Sequence, residues 1–389
     1  MLFRTLTLSI KLNLNPKSTS KALFSSSIAK MAEDKITNWV APNDKSGEFK
    51  RGQSQFRNFI KKGGEFPPEK GRYHLYISYA CPWAHRALIV RQLKGLQDII
   101  PYTGVHWHMQ QKGWRFATAG DKDAPGENVG PDPVKGFEYL RDLYFSVDPE
   151  YKGRFTVPTL YDVKSGRIRY VLCFPLLLQA SMPQSGHGYG WDGYLTDVCI
   201  GAQFDDLIDE KYKKVDLYPA ALQKEIEETN AWTYDTINNG VYKSGFATTA
   251  SAYEAACTSL FTSLDRVEKH LSTVTDGPYY YGKEITEADV RLYTTIIRFD
   301  AVYVQHFKTN IRDVRSGYPY IHRWLRELYW NVPAFGETTQ WDHIKKHYTQ
   351  SHTNINPHSI TPLGPEPPIL KIGEEVPAVR FALEAAKKK

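Results

Sequence analysis

The chain has 389 residues, 41% of them hydrophobic and 13% aromatic, enough for two domains with cores of their own. Its net charge of +6 is mostly local: Arg4, Lys11, Lys17, Lys21 and Lys30 fall in residues 1–30, which hold no acidic side chain, and residues 31–389 carry only +1. That balance argues against a nucleic-acid partner, and no run of about 18 apolar residues is present to form a membrane span. Four widely spaced cysteines, Cys81, Cys173, Cys199 and Cys257, match neither a zinc site nor a disulfide framework, so no metal and a reducing compartment are expected.

Residues 1–30 end in the hydroxyl-rich run Ser25, Ser26, Ser27 and lack the apolar core of a secretory signal. They resemble a transit peptide for a plastid or mitochondrion; the alternative is a disordered tail on a cytoplasmic protein, and Met31 offers a second start. Residues 31–72 read as an irregular arm broken by Pro42, Gly47, Gly52, Gly63, Gly64, Pro67 and Pro68, with Trp39, Phe49, Phe56 and Phe59 as its anchors.

From Tyr73 to Tyr79 apolar and polar residues alternate, the period of a strand. At Pro82 the period changes. Ala84, Ala87, Leu88, Arg91 and Leu93 suit a helix, with Pro82 tolerated in its first turn and Gly95 at its stop. Cys81 therefore falls at or beside the helix N-cap, where unpaired amides and the positive end of the helix dipole favour a thiolate. It is a candidate nucleophile; the alternative is a small buried residue. Ile99 to Trp107 reads as a second strand, completing a βαβ-like unit. Gly113-Trp114-Arg115-Phe116 begins a long loop through Pro133, and Tyr139 to Phe145 suits a short helix. Arg154 to Asp162 reads as the first part of a strand pair that turns near Lys164-Ser165-Gly166. Pro158 within that β-rich run is explained by a cis Val157-Pro158 bond at a turn.

From Gln203 the pattern is helical. Tyr253, Ala256, Leu260, Leu264, Val267 and Leu271 recur every three or four residues on one apolar face. Thr286-x-x-Asp289 is a capping-box variant with Ile285 and Val290 at the staple positions, and Leu292, Ile296, Ile297 and Phe299 continue the core face. Residues 346–389, with Pro357, Pro362, Pro365, Pro367 and Pro368, read as a partly ordered tail.

A strand, then Cys81-Pro82-Trp83-Ala84 at a helix start, then Thr156-Val157-Pro158 before a strand, resembles the thioredoxin-like half of glutathione transferases. The motifs Asn238-Asn239-Gly240-Val241-Tyr242-Lys243, Arg298-Phe299-Asp300 and His343-Ile344-Lys345-Lys346-His347-Tyr348 are similar to those of the glutathionyl-hydroquinone reductases, the Xi class. The resemblance implies an α/β plus all-α fold: a thioredoxin-like N-terminal domain over 73–202, then an all-helical C-terminal domain over 203–345, assembled as a homodimer. It also implies glutathione as co-substrate and quinone-derived small molecules as partners. Cys81 would be the nucleophile and Tyr242 the general acid, with Tyr303 and Tyr348 near the thiol. Trp114 and the backbone of Arg154, Phe155, Thr156 and Val157 would contact glutathione. With Ala84 in place of a second cysteine, a disulfide on Cys81 must be resolved by an external thiol. A thiol transferase or dehydroascorbate reductase of omega type, or a non-catalytic protein on the same scaffold, are the alternatives.

One segment departs from the family. Where a short loop with a Glu-Ser pair is expected to hold the γ-glutamyl end of glutathione, residues 169–203 contain no such pair. Val171 to Leu178 is an apolar run interrupted by Pro175, and Ser185 to Tyr194 is rich in glycine and aromatics without periodicity. The abrupt edges fit a retained intron, an alternative exon, a wrongly drawn gene boundary or a variant loop. Impaired glutathione affinity and stability are the expected consequence.

Overall fold

A computed structural model describes residues 45–50, 60–169 and 203–375. The expected transit peptide, the anchors Trp39, Phe56 and Phe59, and residues 170–202 of the departing segment lie outside the described residues.

The N-terminal half is built on a sheet of order β2-β1-β3-β4, with β1 Tyr73–Ile77, β2 Tyr102–Gly104, β3 Thr159–Asp162 and β4 Arg167–Arg169. β1 pairs parallel with β2, Leu75 opposite Tyr102, and antiparallel with β3, Tyr73 opposite Asp162. A parallel neighbour requires a crossover, and helix α1, Pro82–Leu93, supplies it. The alternation in β1 does not become an alternation of exposure: all five residues are buried, because the strand is central and covered on both faces. Its polar side chains find partners instead, His74 Nε2 at 2.9 Å from Thr103 Oγ1 and Tyr76 donating to Asp132 Oδ1 at 2.6 Å.

The second strand is shorter than the expected Ile99 to Trp107. Ile99 and Ile100 donate to Leu96 O in a turn, Pro101 has no N–H to offer, and beyond Gly104 the pairing with β1 ends with Val105 N donating to Ile77 O at 2.8 Å, after which Val105 makes an isolated bridge to Phe116. Helix α2 runs Leu140–Val147, a residue later at its start and two at its end than expected, with Tyr139 as N-cap. The β3–β4 turn does form at Lys164 to Gly166. Gly166 adopts φ +67°, and buried Asp162 accepts from the amides of Lys164 and Ser165 and from the Arg72 guanidinium.

The C-terminal half is helical. Helix α3, Gln223–Thr233, widens into a π-helical turn at Tyr234–Asn238 and continues as α4, Gly240–Gly245. Helix α5, Ala250–Thr273, buries Leu260, Leu264, Val267 and Leu271 as its spacing requires. Helix α6, Glu287–Ile296, carries the capping box, and Asp289 also accepts from Tyr280 N and Trp324 Nε1. A second π-helical turn, Phe299–Tyr303, follows it. Helices α7, Pro319–Asn331, and α8, Trp341–Ser351, complete the layer. Helix α8 runs across the expected start of the tail at residue 346, because Ile344 and Tyr348 form a buried face one turn apart that spans that point. Downstream, Leu370 O accepts from Trp330 Nε1 at 2.9 Å, which docks the proline-rich segment on α7. Among the described residues no helix is long and apolar enough to cross a membrane.

Two hydrophobic cores result, one beneath the sheet and one among the helices, and α1 lies between them with Pro82 to Val90 buried throughout. Phe49 of the arm enters the helical core, as its aromatic character predicts.

Candidate active site

Cys81 is the N-cap of α1, in extended backbone conformation, with Pro82 at the first helical position. It is half-buried, and its side chain packs against both cores. The thiol donates to Val157 O at 3.4 Å. The Val157-Pro158 bond is cis. Neighbouring backbone is held from behind: Tyr151 donates to Arg154 O at 3.0 Å and Tyr144 to Thr156 O at 2.9 Å. The Phe155 ring packs edge-on against Tyr144 and Phe145 and is buried in the N-terminal core.

Tyr242, Tyr303 and Tyr348 arrive from three elements, α4, the second π-helical turn and α8, and converge. The Tyr348 hydroxyl lies 2.5 Å from that of Tyr242 and 3.0 Å from that of Tyr303, all three rings being buried. Burial raises the phenol of Tyr348 well above its ordinary value and raises that of Tyr303, so both remain protonated donors near neutrality. The Cys81 thiol is close enough to Tyr303 to act on its titration. Tyr242 also packs against Trp83 of α1, ring centroids 5.2 Å apart.

Trp114 is buried and stacks on His347, centroids 4.8 Å apart. His347 Nδ1 donates to Trp107 O at 2.9 Å, and burial lowers its pKa to about 3, leaving a neutral ring. Further histidines back the phenols: His306 Nε2 is 3.1 Å from His352 Nδ1, and the His352 and Tyr348 rings meet edge-on. His306, His352 and His85 were not singled out by the sequence, and Arg298 and His347 entered only as members of motifs; Arg298 reaches the backbone just ahead of Cys81, and His85 bonds to Arg298. For His306, His352 and His85 the only sequence signal is proximity to the quoted motifs.

One trio, His106, Asp121 and Asp123, brings its ligand-type atoms within 4.8 Å of one another. His106 Nδ1 accepts from His108 N at 2.9 Å, so Nε2 carries the proton, and it lies 3.7 Å from an oxygen of each carboxylate, beyond hydrogen-bond distance. Asp121 is already held by Arg115 through two short bonds. With Nε2 protonated and Asp121 engaged by Arg115, the trio is poorly set up to hold a cation.

Comparison with known proteins agrees with this geometry. The glutathione S-transferase N-terminal domain family matches residues 80–173, and the C-terminal domain family residues 250–327. The chain is 49% identical to glutathione S-transferase omega-like 2 of Schizosaccharomyces pombe, covering 87% of this chain and 98% of that protein. It is 40% identical to glutathionyl-hydroquinone reductase YqjG of Escherichia coli, covering 84% and 92% respectively. The crystal structure of the Xi glutathione transferase ECM4 from Saccharomyces cerevisiae in complex with glutathione superposes with a TM-score of 0.74 at 41% identity, covering 84% of this chain and all of that one. The chain therefore belongs to the glutathione transferase family, as an enzyme of its Xi-class, glutathionyl-hydroquinone reductase type.

Proposed function

We propose that the chain reduces glutathionyl-hydroquinones through a mixed disulfide on Cys81. The thiolate attacks the glutathione sulfur, a sulfur–sulfur bond forms, and the electron pair of the broken carbon–sulfur bond passes to the aromatic carbon. Tyr242 gives that carbon a proton, and the hydroquinone leaves. A second glutathione, as thiolate, attacks the bound glutathione sulfur, releasing oxidised glutathione and the Cys81 thiolate. The phenol is reprotonated from solvent.

The observation that carries this reading is the three hydrogen-bonded phenols beside a thiol at a helix start. A sulfur-only exchange, as in an omega-like thiol transferase, has no carbon to protonate and no need of a buried phenol. The thiol facing Val157 O at a cis-proline supports glutathione binding along that backbone, with Trp114 beside it. Residues 1–30 support import into a plastid or mitochondrion.

The test is incubation with glutathionyl-menadione followed by mass spectrometry. A glutathione adduct confined to Cys81, with release of menadiol, is expected. No adduct on the folded protein refutes the reading and favours the non-catalytic alternative.

A further inference from the structure

Arg298 follows helix α6 and is fully buried. Its guanidinium donates from Nε to Ala80 O at 3.0 Å, from Nη2 to Tyr79 O at 2.9 Å, and from Nη1 to Thr294 O at 2.6 Å and His85 Nδ1 at 3.1 Å. Every acceptor is neutral. A guanidinium can only donate, so His85 Nδ1 is the unprotonated nitrogen, and Nε2–H donates to Thr338 Oγ1 at 2.9 Å. Burial and the adjacent cation both hold His85 in that neutral form.

A buried cation is costly unless a negative charge compensates it, and buried arginines are ordinarily paired with carboxylates. Arg291 of the same helix shows the ordinary solution, bonded to Glu287 at 2.9 Å. Arg298 instead grips the two carbonyls immediately preceding Cys81, and no carboxylate lies within ion-pair distance of it among the described residues. Its positive charge also bears on Tyr303 and Tyr348.

We propose that Arg298 is the built-in counter-ion of the Cys81 thiolate: its fork positions the backbone that ends at the nucleophile, and its otherwise uncompensated charge holds the sulfur ionised. The proposal rests on Cys81 being the nucleophile. Among the described residues, the charged and titratable groups on the neighbouring elements have partners of their own. From its own helix come neutral His85 and Arg86, whose guanidinium lies over the Trp83 ring and donates to Arg291 O. From the cis-proline segment comes the Val157 carbonyl; from α4, the second π-helical turn and α8 come the phenols of Tyr242, Tyr303 and Tyr348 and the neutral ring of His347. From α6 comes the internally neutralised Arg291–Glu287 pair. Arg298 acts as a positioning residue with an electrostatic role, touching no reacting atom.

The test is the apparent pKa of Cys81 in the full chain, from the pH dependence of iodoacetamide alkylation followed on the Cys81 peptide. Arg298→Met is expected to raise that pKa by about one unit or more. At a pH below both values alkylation then slows about tenfold, in step with the thiolate fraction. Arg298→Lys, which keeps the charge but not the fork, is expected to move it by less than half as much. A purely structural arginine would lower the melting temperature and leave the pKa in place, so a folded Arg298→Met protein with an unchanged value overturns the proposal. Equal shifts in both variants overturn the electrostatic part. Should Arg298→Met not fold, His85→Asp provides the missing carboxylate while keeping the cation. The Cys81 pKa should then exceed that of His85→Asn, and equal values refute the idea. No quinone enters these assays, so a shifted pKa in a protein unable to reduce glutathionyl-hydroquinones discards the reaction and keeps the counter-ion.

Discussion

Acidification between pH 6.5 and 4.5 should unfold this protein, because both of its halves bury histidines that cannot charge in place. His306 and His347 pack around Tyr348, and their pKa values fall to about 4 and about 3; His74, His322 and His343 fall to about 4, all through desolvation. In the unfolded chain the same rings titrate near about 6.5. Their folded values are depressed, so the stability they contribute is present above that pH and is lost as pH falls toward the folded values. Asp300 acts in the opposite sense, raised to about 6 by burial, and regains stability as pH falls through that value. At about pH 5.5 these five histidines less Asp300 alone leave the unfolded chain holding about four more protons, a loss on the order of 5 kcal/mol per pH unit; His85 and His352 add to it and the elevated carboxyls of Glu287 and Asp289 oppose it. That is comparable with the whole net stability of an ordinary domain, about 5–15 kcal/mol. Urea denaturation followed by circular dichroism from pH 8 to 4.5 measures the slope directly. An uptake of less than about one proton at that pH would refute the assignment of these rings as buried and neutral.

The site makes its own predictions. Tyr242→Phe should slow reduction of glutathionyl-menadione by about 10²- to 10⁴-fold while leaving thiol exchange from a Cys81 mixed disulfide intact; equal losses in both assays would remove the phenol from carbon protonation. Glutathione should bind weakly, since an absent Glu-Ser pair forfeits charge-assisted bonds of about 1.5–3 kcal/mol each, and a micromolar Kd by calorimetry would contradict this. Asp289→Ala should destabilise the fold by about 3 kcal/mol or more, because Tyr280 N, Thr286 N and Trp324 Nε1 lose a shared buried acceptor. A change below about 1 kcal/mol in the denaturation midpoint analysis would show that these donors are satisfied otherwise.

What the residues alone disclosed was mainly local. The switch of period at Cys81, Pro82 in the first turn, the cis bond before Pro158 and the capping box at Thr286 are each set by a few adjacent side chains, and each is present. The strand at Tyr102–Gly104 was overestimated because apolar character cannot show that Pro101 and the preceding turn remove its first ladder bonds. The convergence of the three phenols was suggested only by resemblance, since residues 242, 303 and 348 share no periodicity. Arg298 and the histidine layer were given no role for a related reason. An arginine or histidine in an amphipathic helix ordinarily faces water, and only the packing of two halves against each other decides that these do not.

Helix α1 lies between the two cores, and its polar side chains are bonded across the junction: Arg86 to Arg291 O, and His85 to Thr338 and Arg298. Pulling the halves apart would break all of these bonds at once and open both apolar cores to water. The two domains are therefore not interchangeable modules. A chimera that grafts this sheet onto the helices of a distant transferase should melt earlier than either parent, whereas the intact chain should unfold in a single cooperative transition by calorimetry.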